Sequence, residues 1–151
     1  RGAAPVAQAS HVLRYLADTS VWSWAARVPD LNDEFAGLLK AGRVRTCHPV
    51  MLELLYSAQS SGDYELIDSG LRRLAVCDIG PREWWRALEV YDALAAQGPK
   101  HQRQVSHSDL LIAVAAEAAG VTVLHYDEDF DRITEVSGIA TQWVRPRGSL
   151  E

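Results

Sequence analysis

The chain has few of the features that define several large protein classes. Its 151 residues include two cysteines, Cys47 and Cys77, and the five histidines form no zinc-binding pattern with them. We therefore expect no structural zinc site and two free, buried thiols in a reducing cytosol. No apolar run approaches the roughly 20 residues that cross a bilayer, and no signal-peptide pattern opens the chain. A cytoplasmic globular protein that does not enter membranes is expected.

Positive charge is also scarce. Lysine occurs only as Lys40 and Lys100, and the 15 basic residues are outnumbered by 20 acidic ones, which gives a net charge of −5. Nucleic-acid-binding domains usually carry a basic patch, so this balance argues against such a function. If several acids converge on one pocket that holds divalent cations, however, the remaining surface is close to neutral, and the negative net charge no longer excludes nucleic-acid binding. Net charge alone therefore does not decide the function.

Short apolar runs alternate with amphipathic segments along the chain. The apolar runs predict strands that are buried on both faces of a sheet, at 12–18, 43–47, 121–127 and 139–144. Helices are predicted at 19–28, 30–42, 48–62, 63–76, 81–98, 108–120 and 128–138. This order predicts a three-layer α/β/α domain with a mainly parallel sheet flanked by helices. We expect this domain at 12–146, after an extension at 1–11 and before a tail of cloning origin at 147–151.

Acidic residues follow two of the predicted strands and begin one of the predicted helices. Asp18 ends the first strand, Asp127 ends the third with Asp129 two residues further on, and Asp109 begins the helix at 108–120. Ligands of parallel α/β domains bind beyond the carboxyl ends of the strands, so these side chains are placed for a common site. Each acid alone can equally cap a helix by accepting a backbone N–H bond.

Glu53 is harder to explain as a structural residue. It lies in "VMLELLY" (50–56), where apolar neighbours occupy nearly every face of the predicted helix. The pattern therefore predicts that Glu53 is buried, and no Lys or Arg stands three or four residues away to pair with it. A buried, unpaired carboxylate is strongly destabilising. We expect a bound cation or a proton to compensate it.

A cluster of these carboxylates predicts a metal site. Four or five like charges repel one another unless they bind hard cations, and Mg²⁺ and Mn²⁺ favour all-oxygen ligand sets. Such a site can activate a water molecule and stabilise the charge on a phosphate during hydrolysis. Metal-dependent cleavage of phosphodiester bonds is the chemistry that this cluster favours.

Four segments resemble a known family in their order and spacing. They are "YLADTS" (15–20), "PVMLELLYSA" (49–58), "SDLLIAVAA" (108–116) and "VTVLHYDEDFDRI" (121–133). Together they resemble the PIN domain and, within it, the VapC-type toxin ribonucleases of type II toxin–antitoxin pairs. The resemblance implies a Mg²⁺- or Mn²⁺-dependent endoribonuclease that hydrolyses RNA with a metal-activated water. It also implies inhibition by a cognate antitoxin, in a homodimer or a toxin–antitoxin hetero-oligomer.

The resemblance further implies which residues form the site. Asp18, Glu53, Asp109 and Asp127 match the acidic quartet that serves catalysis and metal binding, and Asp129 matches a frequent fifth acid. Ser20 matches a small hydroxyl residue that often donates a hydrogen bond inside the pocket. The chain departs from the family in having His125 and Tyr126 where a Thr or Ser often precedes the fourth acid. Glu128 and Asp131 are expected to be solvated or to cap a helix.

The substrate would need some positive charge beside this acidic site. The polar segment "PKHQRQVSH" (99–107) precedes Asp109 and offers Lys100 and Arg103 as candidates for RNA contact, although a solvated loop explains it equally well. Trp84 and Trp85 could stack on bases, but adjacent tryptophans on an apolar helix are more typical of a core or an interface.

Other classes of protein also gather acids at strand ends. A receiver-like phosphoacceptor module binds Mg²⁺ in this way, but it requires a lysine at the end of a late strand, and neither Lys40 nor Lys100 is placed there. A haloacid-dehalogenase phosphatase requires Asp-x-Asp after the first strand, which "ADTS" (17–20) lacks. A catalytically inactive PIN-like binding partner remains possible on the sequence, although the complete quartet argues against it.

Overall fold

The computed structural model describes residues 12–151, so the predicted extension at 1–11 lies outside the described residues. Within this range the strands are β1 (Tyr15–Ala17), β2 (Val44–Arg45), β3 (Thr122–His125) and β4 (Thr141–Trp143). The α-helices are α1 (Thr19–Ala25), α2 (Pro29–Lys40), α3 (His48–Tyr56), α4 (Ser61–Leu71), α5 (Pro81–Ala96), α6 (His107–Ala119) and α7 (Asp129–Ser137). A 3₁₀ helix occupies His101–Gln104.

The strands form one parallel sheet in the order β2-β1-β3-β4, with every pair parallel. Successive residues of a strand point to opposite faces, and both faces of this sheet are covered. Tyr15, Ala17 and Leu124 pack in one cluster with α1 and α2. Leu16 and Val123 pack on the other face with α5, α6 and α7. The predicted three-layer α/β/α fold with a parallel sheet is therefore confirmed.

The helices before and after residue 60 differ from the predicted ones. The sequence predicted one helix at 48–62 and the next at 63–76, but α3 ends at Tyr56 and α4 begins at Ser61. The cause is a local cap, because the Ser60 hydroxyl accepts the backbone N–H of Asp63 and fixes the first turn of α4 at this point. The strand predicted at 43–47 is reduced to two residues, followed by an isolated parallel bridge between Thr46 and Val76.

The cysteines and the final residues are both packed on the domain. Cys47 and Cys77 are buried and free, as predicted. After β4 the chain returns to the segment between β3 and α7, where Arg147 pairs with Glu128 and the backbone N–H of Leu150 donates to the Tyr126 hydroxyl at 3.0 Å. Across residues 12–151, none of the helices is both long and apolar enough to span a membrane.

Candidate metal centre

The parallel arrangement of β1 and β3 places Asp18 and Asp127 at the same edge of the sheet. The backbone N–H of Asp18 donates to the carbonyl oxygen of Leu124 at 2.9 Å, which fixes the end of β1 against β3. Asp18 is buried at 4% exposure and caps α1, since its Oδ2 accepts the backbone N–H of Ser20 at 3.0 Å. The capping explanation is therefore correct for Asp18, and its carboxylate also lies close enough to Asp109 to raise the pKa of that residue.

Asp109 does not cap its helix. Ser106 is the cap of α6, and its hydroxyl accepts the backbone N–H of Asp109 at 3.0 Å. The carboxylate of Asp109 is thereby left to point into the centre of the acidic cluster. Ligand atoms of Asp109, Asp127 and Asp129 all lie within 4.8 Å of one another. Asp127 also orders the start of α7, because its Oδ1 accepts the backbone N–H of Asp129 at 2.9 Å.

The electrostatics of this cluster show how closely its negative charges are held. The pKa of Asp109 is raised to about 8, chiefly by burial and additionally by the charges of Asp18, Asp127 and Asp129. Burial also raises the pKa of Asp18, against two hydrogen bonds from Ser20, with added repulsion from Glu53 and Asp127. The pKa of Asp129 is raised by burial and by Asp127. The cluster is therefore unfavourable in its ionised form until a cation enters it.

The donor set fits a hard divalent cation. It consists of carboxylate oxygens at close range, which is the ligand chemistry that Mg²⁺, Mn²⁺ and Ca²⁺ share. Zinc would be expected to have His or Cys ligands, but His125 turns its Nδ1 away to accept the backbone N–H of Asp127 at 3.2 Å. Asp109, Asp127 and Asp129 are thus the residues grouped closely enough to hold an ion, and Asp18 adjoins them through its charge.

Glu53 is exposed, so the prediction that it is buried was wrong. Two apolar neighbours that were expected to enclose it, Leu52 and Tyr56, point outward, and Tyr56 is 92% exposed. Glu53 nonetheless faces the site from α3, because its Oε1 accepts a hydrogen bond of 2.6 Å from the Thr19 hydroxyl and its charge helps raise the pKa of Asp18. It lies at the rim of the acidic centre and not inside a core.

Ser20 connects the two strand ends that form the centre. Its hydroxyl donates to Asp18 Oδ2 at 2.5 Å and accepts the backbone N–H of Tyr126 at 2.9 Å. Ser20 therefore orients the buried carboxylate of Asp18 and anchors the segment before Asp127.

We expect Ser20→Ala to lower RNA cleavage about tenfold, because Asp18 loses the donor that fixes its orientation. The substitution also leaves the Tyr126 N–H without its partner, which should lower the free energy of unfolding by about 1–2 kcal/mol. Initial cleavage rates and urea unfolding measure the two effects. Ser23→Ala, on the exposed side of α1, is the matched control and should change neither. Equal effects of the two substitutions would contradict this role of Ser20.

The remaining acids of the run 127–131 have other partners. Glu128 is exposed and pairs with Arg147, while Asp131 accepts hydrogen bonds of 3.1 and 3.2 Å from the Trp143 indole N–H. They are solvent-exposed, as predicted, but both are engaged in contacts between α7 and the residues that follow it. The sequence offered no signal for these pairs, because Arg147 lies 19 residues beyond Glu128 and Trp143 lies 12 residues beyond Asp131.

The sequence indicated His125 only as a departure from the family, but its ring accepts the backbone N–H of Asp127 and so helps to fix the position of that residue. His125 is fully buried between Phe130 and Trp143, and burial lowers its pKa to about 4 against the opposing charges of Asp131 and Asp127. The ring is neutral at pH 7, and since Nδ1 accepts a hydrogen bond, the ring proton lies on Nε2. The apolar run at 121–127 predicted a strand buried on both faces, but it did not predict this bond.

The sequence also suggested RNA contact for Lys100 and Arg103 and base stacking for Trp84 and Trp85. Lys100 and Arg103 are exposed at the 3₁₀ helix that precedes α6, with Lys100 in the left-handed backbone region, and their contact with RNA stays a prediction. Trp84 and Trp85 are exposed on α5, so a place in the core is wrong for them. Arg86, which follows Trp85, pairs with Glu117 near the end of α6, whereas Asp109 lies at the start of that helix.

Comparison with known proteins identifies the family to which the chain belongs. Residues 15–136 match the PIN domain family. Ribonuclease VapC18 of Mycobacterium tuberculosis is 40% identical over 136 residues, which cover 90% of this chain and 98% of the relative. Ribonuclease VapC51 of the same organism is 36% identical, covering 92% and 98%.

Solved structures agree on the fold. A DNA-bound VapBC from Salmonella typhimurium superposes with a TM-score of 0.67 at 21% identity, over 89% of this chain and all of that one. VapBC2 from Rickettsia felis, bound to a promoter DNA fragment, gives 0.66 at 21% identity, over 87% and 98%. The family match over residues 15–136 and these relatives show that the chain belongs to the PIN domain family. Within that class, the chain belongs to the VapC ribonuclease family.

Proposed function

We propose that the protein is a metal-dependent endoribonuclease, the toxin of a toxin–antitoxin pair, and that it hydrolyses RNA phosphodiester bonds at the acidic centre. Family membership supports the ribonuclease activity, and PIN-domain ribonucleases generally depend on divalent metal. The observation that carries the proposal is the close grouping of Asp109, Asp127 and Asp129, with the pKa of Asp109 raised to about 8. Mg²⁺ or Mn²⁺ is the proposed cofactor.

The proposed roles follow from position. Asp18, Asp109 and Asp127 would hold the metal from the buried side, with Asp129 beside them and Glu53 closing the rim through Thr19. A divalent cation in this place would activate water and offset the charge that develops on the phosphate. Ser20 fixes the orientation of Asp18. The protonated carboxyl of Asp109 must release its proton before the full ligand set is available.

A protein partner is supported by exposed apolar surface on the side of α3 and α4. A groove of about 620 Å³ runs between α1, α2, α3 and α4, and its walls include Trp22, Leu39, Leu54 and Leu66. Large apolar patches of this kind mark interaction sites. The relatives of similar fold are VapBC toxin–antitoxin complexes. We propose that a cognate antitoxin covers this groove, that the protein forms a dimer or hetero-oligomer, and that it acts in the cytoplasm.

Two aspartates of the same run provide a matched test of the proposal. The protein, freed of any antitoxin, is incubated with a mixed pool of small RNAs in Mg²⁺, in Mn²⁺ and in EDTA. Asp127→Asn should remove discrete cleavage in both metals, because it loses a proposed ligand. Asp131→Asn should retain it, because the amide oxygen can still accept the Trp143 N–H. Cleavage in EDTA, or equal cleavage by both variants, would contradict a metal centre at Asp127.

The receiver-like alternative is not favoured by the placement of the lysines. Lys40 ends α2 and Lys100 precedes the 3₁₀ helix, so neither follows β3 or β4 at the edge of the sheet where the acids lie. A phosphoacceptor site at Asp18 would lack the cation that balances a phosphorylated aspartate.

A further inference from the structure

We propose that Thr19 is a positioning residue, which holds the carboxylate of Glu53 at the rim of the acidic centre within reach of a bound cation. This inference rests on the proposed metal-dependent activity and adds a residue to the site. Glu53 needs such support because it lies in the middle of a helix, whereas the other acids of the site lie just after a strand or in the first turn of a helix.

The position of Glu53 depends on a side-chain contact. Glu53 is exposed on α3, and its carboxylate is not among those of Asp109, Asp127 and Asp129, whose ligand atoms lie within 4.8 Å of one another. A glutamate side chain loses rotamer entropy when it is fixed in one place. Repulsion also acts against a fixed position here, because the charge of Glu53 helps to raise the pKa of Asp18. Without a specific partner, the side chain would turn towards solvent.

Thr19 supplies this partner from the neighbouring helix α1. Its hydroxyl donates a hydrogen bond of 2.6 Å to Glu53 Oε1, across 34 residues of sequence. Within residues 12–151 Glu53 forms no ion pair, and this is the side-chain hydrogen bond that its carboxylate accepts. Hydrogen bonds to an ionised acceptor are stronger than those between neutral groups. The bond therefore restrains one carboxylate oxygen and leaves Oε2 available to a cation.

Thr19 is itself fixed, because it lies between two residues of the acidic centre. Asp18 accepts the backbone N–H of Ser20 at 3.0 Å and so caps α1, whose first residue is Thr19. The Ser20 hydroxyl in turn accepts the backbone N–H of Tyr126, which follows β3. Threonine is also β-branched, which limits its χ1 rotamers in a helix. The segment "ADTS" (17–20) therefore contacts the end of β3 through Ser20 and α3 through Thr19.

Apolar packing sets the position of α1 beside α3. Trp22, one turn after Thr19, and Leu54, next to Glu53, line the same groove and pack against the same core cluster. This packing does not involve the hydroxyl of Thr19. Removal of the hydroxyl should therefore free the Glu53 side chain without moving the helix that carries it.

A tether between the two helices is the alternative role for this bond. A tether requires only that Glu53 accepts the hydrogen bond, whereas a role towards a cation also requires its negative charge. Glu53→Gln separates the two roles, because the amide oxygen still accepts the Thr19 hydroxyl while the charge is lost.

The test measures Mn²⁺ binding by calorimetry on the full chain, free of any antitoxin, so it does not depend on cleavage activity. Thr19→Val removes the hydroxyl and keeps the β-branched shape, whereas Thr19→Ser keeps the hydroxyl. Ser23→Ala, one turn further along α1 and exposed, is the matched control. Circular dichroism and urea unfolding establish that each variant is folded. Initial rates of cleavage of the small-RNA pool are measured in parallel.

We expect Thr19→Val to lower the Mn²⁺ association constant and the cleavage rate each by about tenfold, because partners that orient metal ligands have effects of this size. Thr19→Ser and Ser23→Ala should resemble the wild-type protein. Glu53→Gln should lower the association constant although it keeps the bond to Thr19. In a Glu53→Ala background, Thr19→Val should have no further effect, because a residue that acts through Glu53 loses its role when Glu53 is removed.

The possible results separate this inference from the proposed activity. If the wild-type protein cleaves RNA but Thr19→Val keeps or raises the Mn²⁺ affinity, the positioning role is wrong and the activity stands. If Mn²⁺ binding depends on Thr19 as expected but no RNA is cleaved, the positioning role stands and the activity fails. A wild-type affinity in Glu53→Gln would make the bond a tether and overturn the proposal. Effects of Thr19→Val and Glu53→Ala that add in full, or a wild-type protein that binds no Mn²⁺, would overturn it as well.

Discussion

Asp109→Asn is expected to abolish RNA cleavage and, in the absence of metal, to stabilise the protein. Loss of a proposed metal ligand removes several kcal/mol of charge stabilisation from the transition state, and about 4 kcal/mol corresponds to about a thousandfold in rate. The stabilisation has a separate origin. Burial and three nearby acids raise the pKa of Asp109 to about 8, so at pH 7 the folded state holds this carboxyl protonated while the unfolded chain would ionise it.

The sign of the pH dependence follows from this raised pKa. The Asp109 contribution to the free energy of unfolding is fully retained below the unfolded pKa near 4 and is lost progressively as the pH rises towards 8. The Asp109→Asn substitution removes this loss of stability at higher pH, because asparagine does not ionise. With allowance for solvent screening of a partly exposed group, we expect a gain of about 2 kcal/mol at pH 7, or about 5 °C in Tm.

Thermal unfolding in EDTA between pH 4 and pH 8 measures this effect. The wild-type protein should lose stability relative to Asp109→Asn as the pH rises, and the two curves should converge at low pH. Asp92→Asn, on the exposed face of α5, is the control and should follow the wild-type curve. A metal-free Asp109→Asn protein that is less stable than the wild type at pH 7 would contradict the claim that the buried acidic cluster destabilises the metal-free fold.

Metal affinity is expected to depend strongly on pH, for the same reason. A cation binds the ionised carboxylate, so it must displace the proton of Asp109 below pH 8. The apparent association constant for Mn²⁺ should therefore rise about tenfold per pH unit between pH 6 and pH 8 and level off above it. The raised pKa values of Asp18 and Asp129 act in the same direction.

Calorimetry in two buffers of different ionisation enthalpy counts the protons released on binding. We expect about one proton per Mn²⁺ at pH 7 for the wild-type protein. Asp109→Asn should bind more weakly and release markedly fewer protons. Binding that releases no proton at pH 7, or whose affinity is unchanged from pH 6 to pH 8, would show that Asp109 is not the group displaced by the metal.

The fold and the buried acids were predictable from the sequence for a topological reason. Parallel strands end at a common edge, so a run that ends in Asp18 and another that ends in Asp127 bring these two residues together once the strands are adjacent. Asp109 was predictable because it opens an almost wholly apolar helix, although its cap, Ser106, was not singled out. These expectations depend on local patterns that the chain shows directly.

Glu53 shows where such reasoning fails. An apolar helical surface indicates burial, but it does not distinguish a face that packs in the core from one that meets another protein. In α3 the face that carries Leu52 and Tyr56 is exposed, so Glu53 reaches the site from outside. The end of α3 was predictable in principle, because Ser60 and Asp63 form a recognisable start for α4.

The contacts of Glu128 could not be predicted, because they depend on where the segment after β4 returns. Arg147 lies 19 residues beyond Glu128, and nothing in the sequence between them specifies the pair. The bond from Asp127 to His125 is similarly hidden, since a buried histidine reads as an ordinary core residue until the geometry of the turn after β3 is known.

Anomalous diffraction from crystals of the protein soaked in Mn²⁺ would locate a bound metal directly. We expect an anomalous peak among the carboxylates of Asp18, Asp109 and Asp127, with Asp129 or Glu53 close to it. The peak should be absent from Asp109→Asn crystals soaked in the same way. A peak elsewhere on the protein, or none in crystals whose acidic centre is open to solvent, would contradict the assignment of these residues to a metal centre.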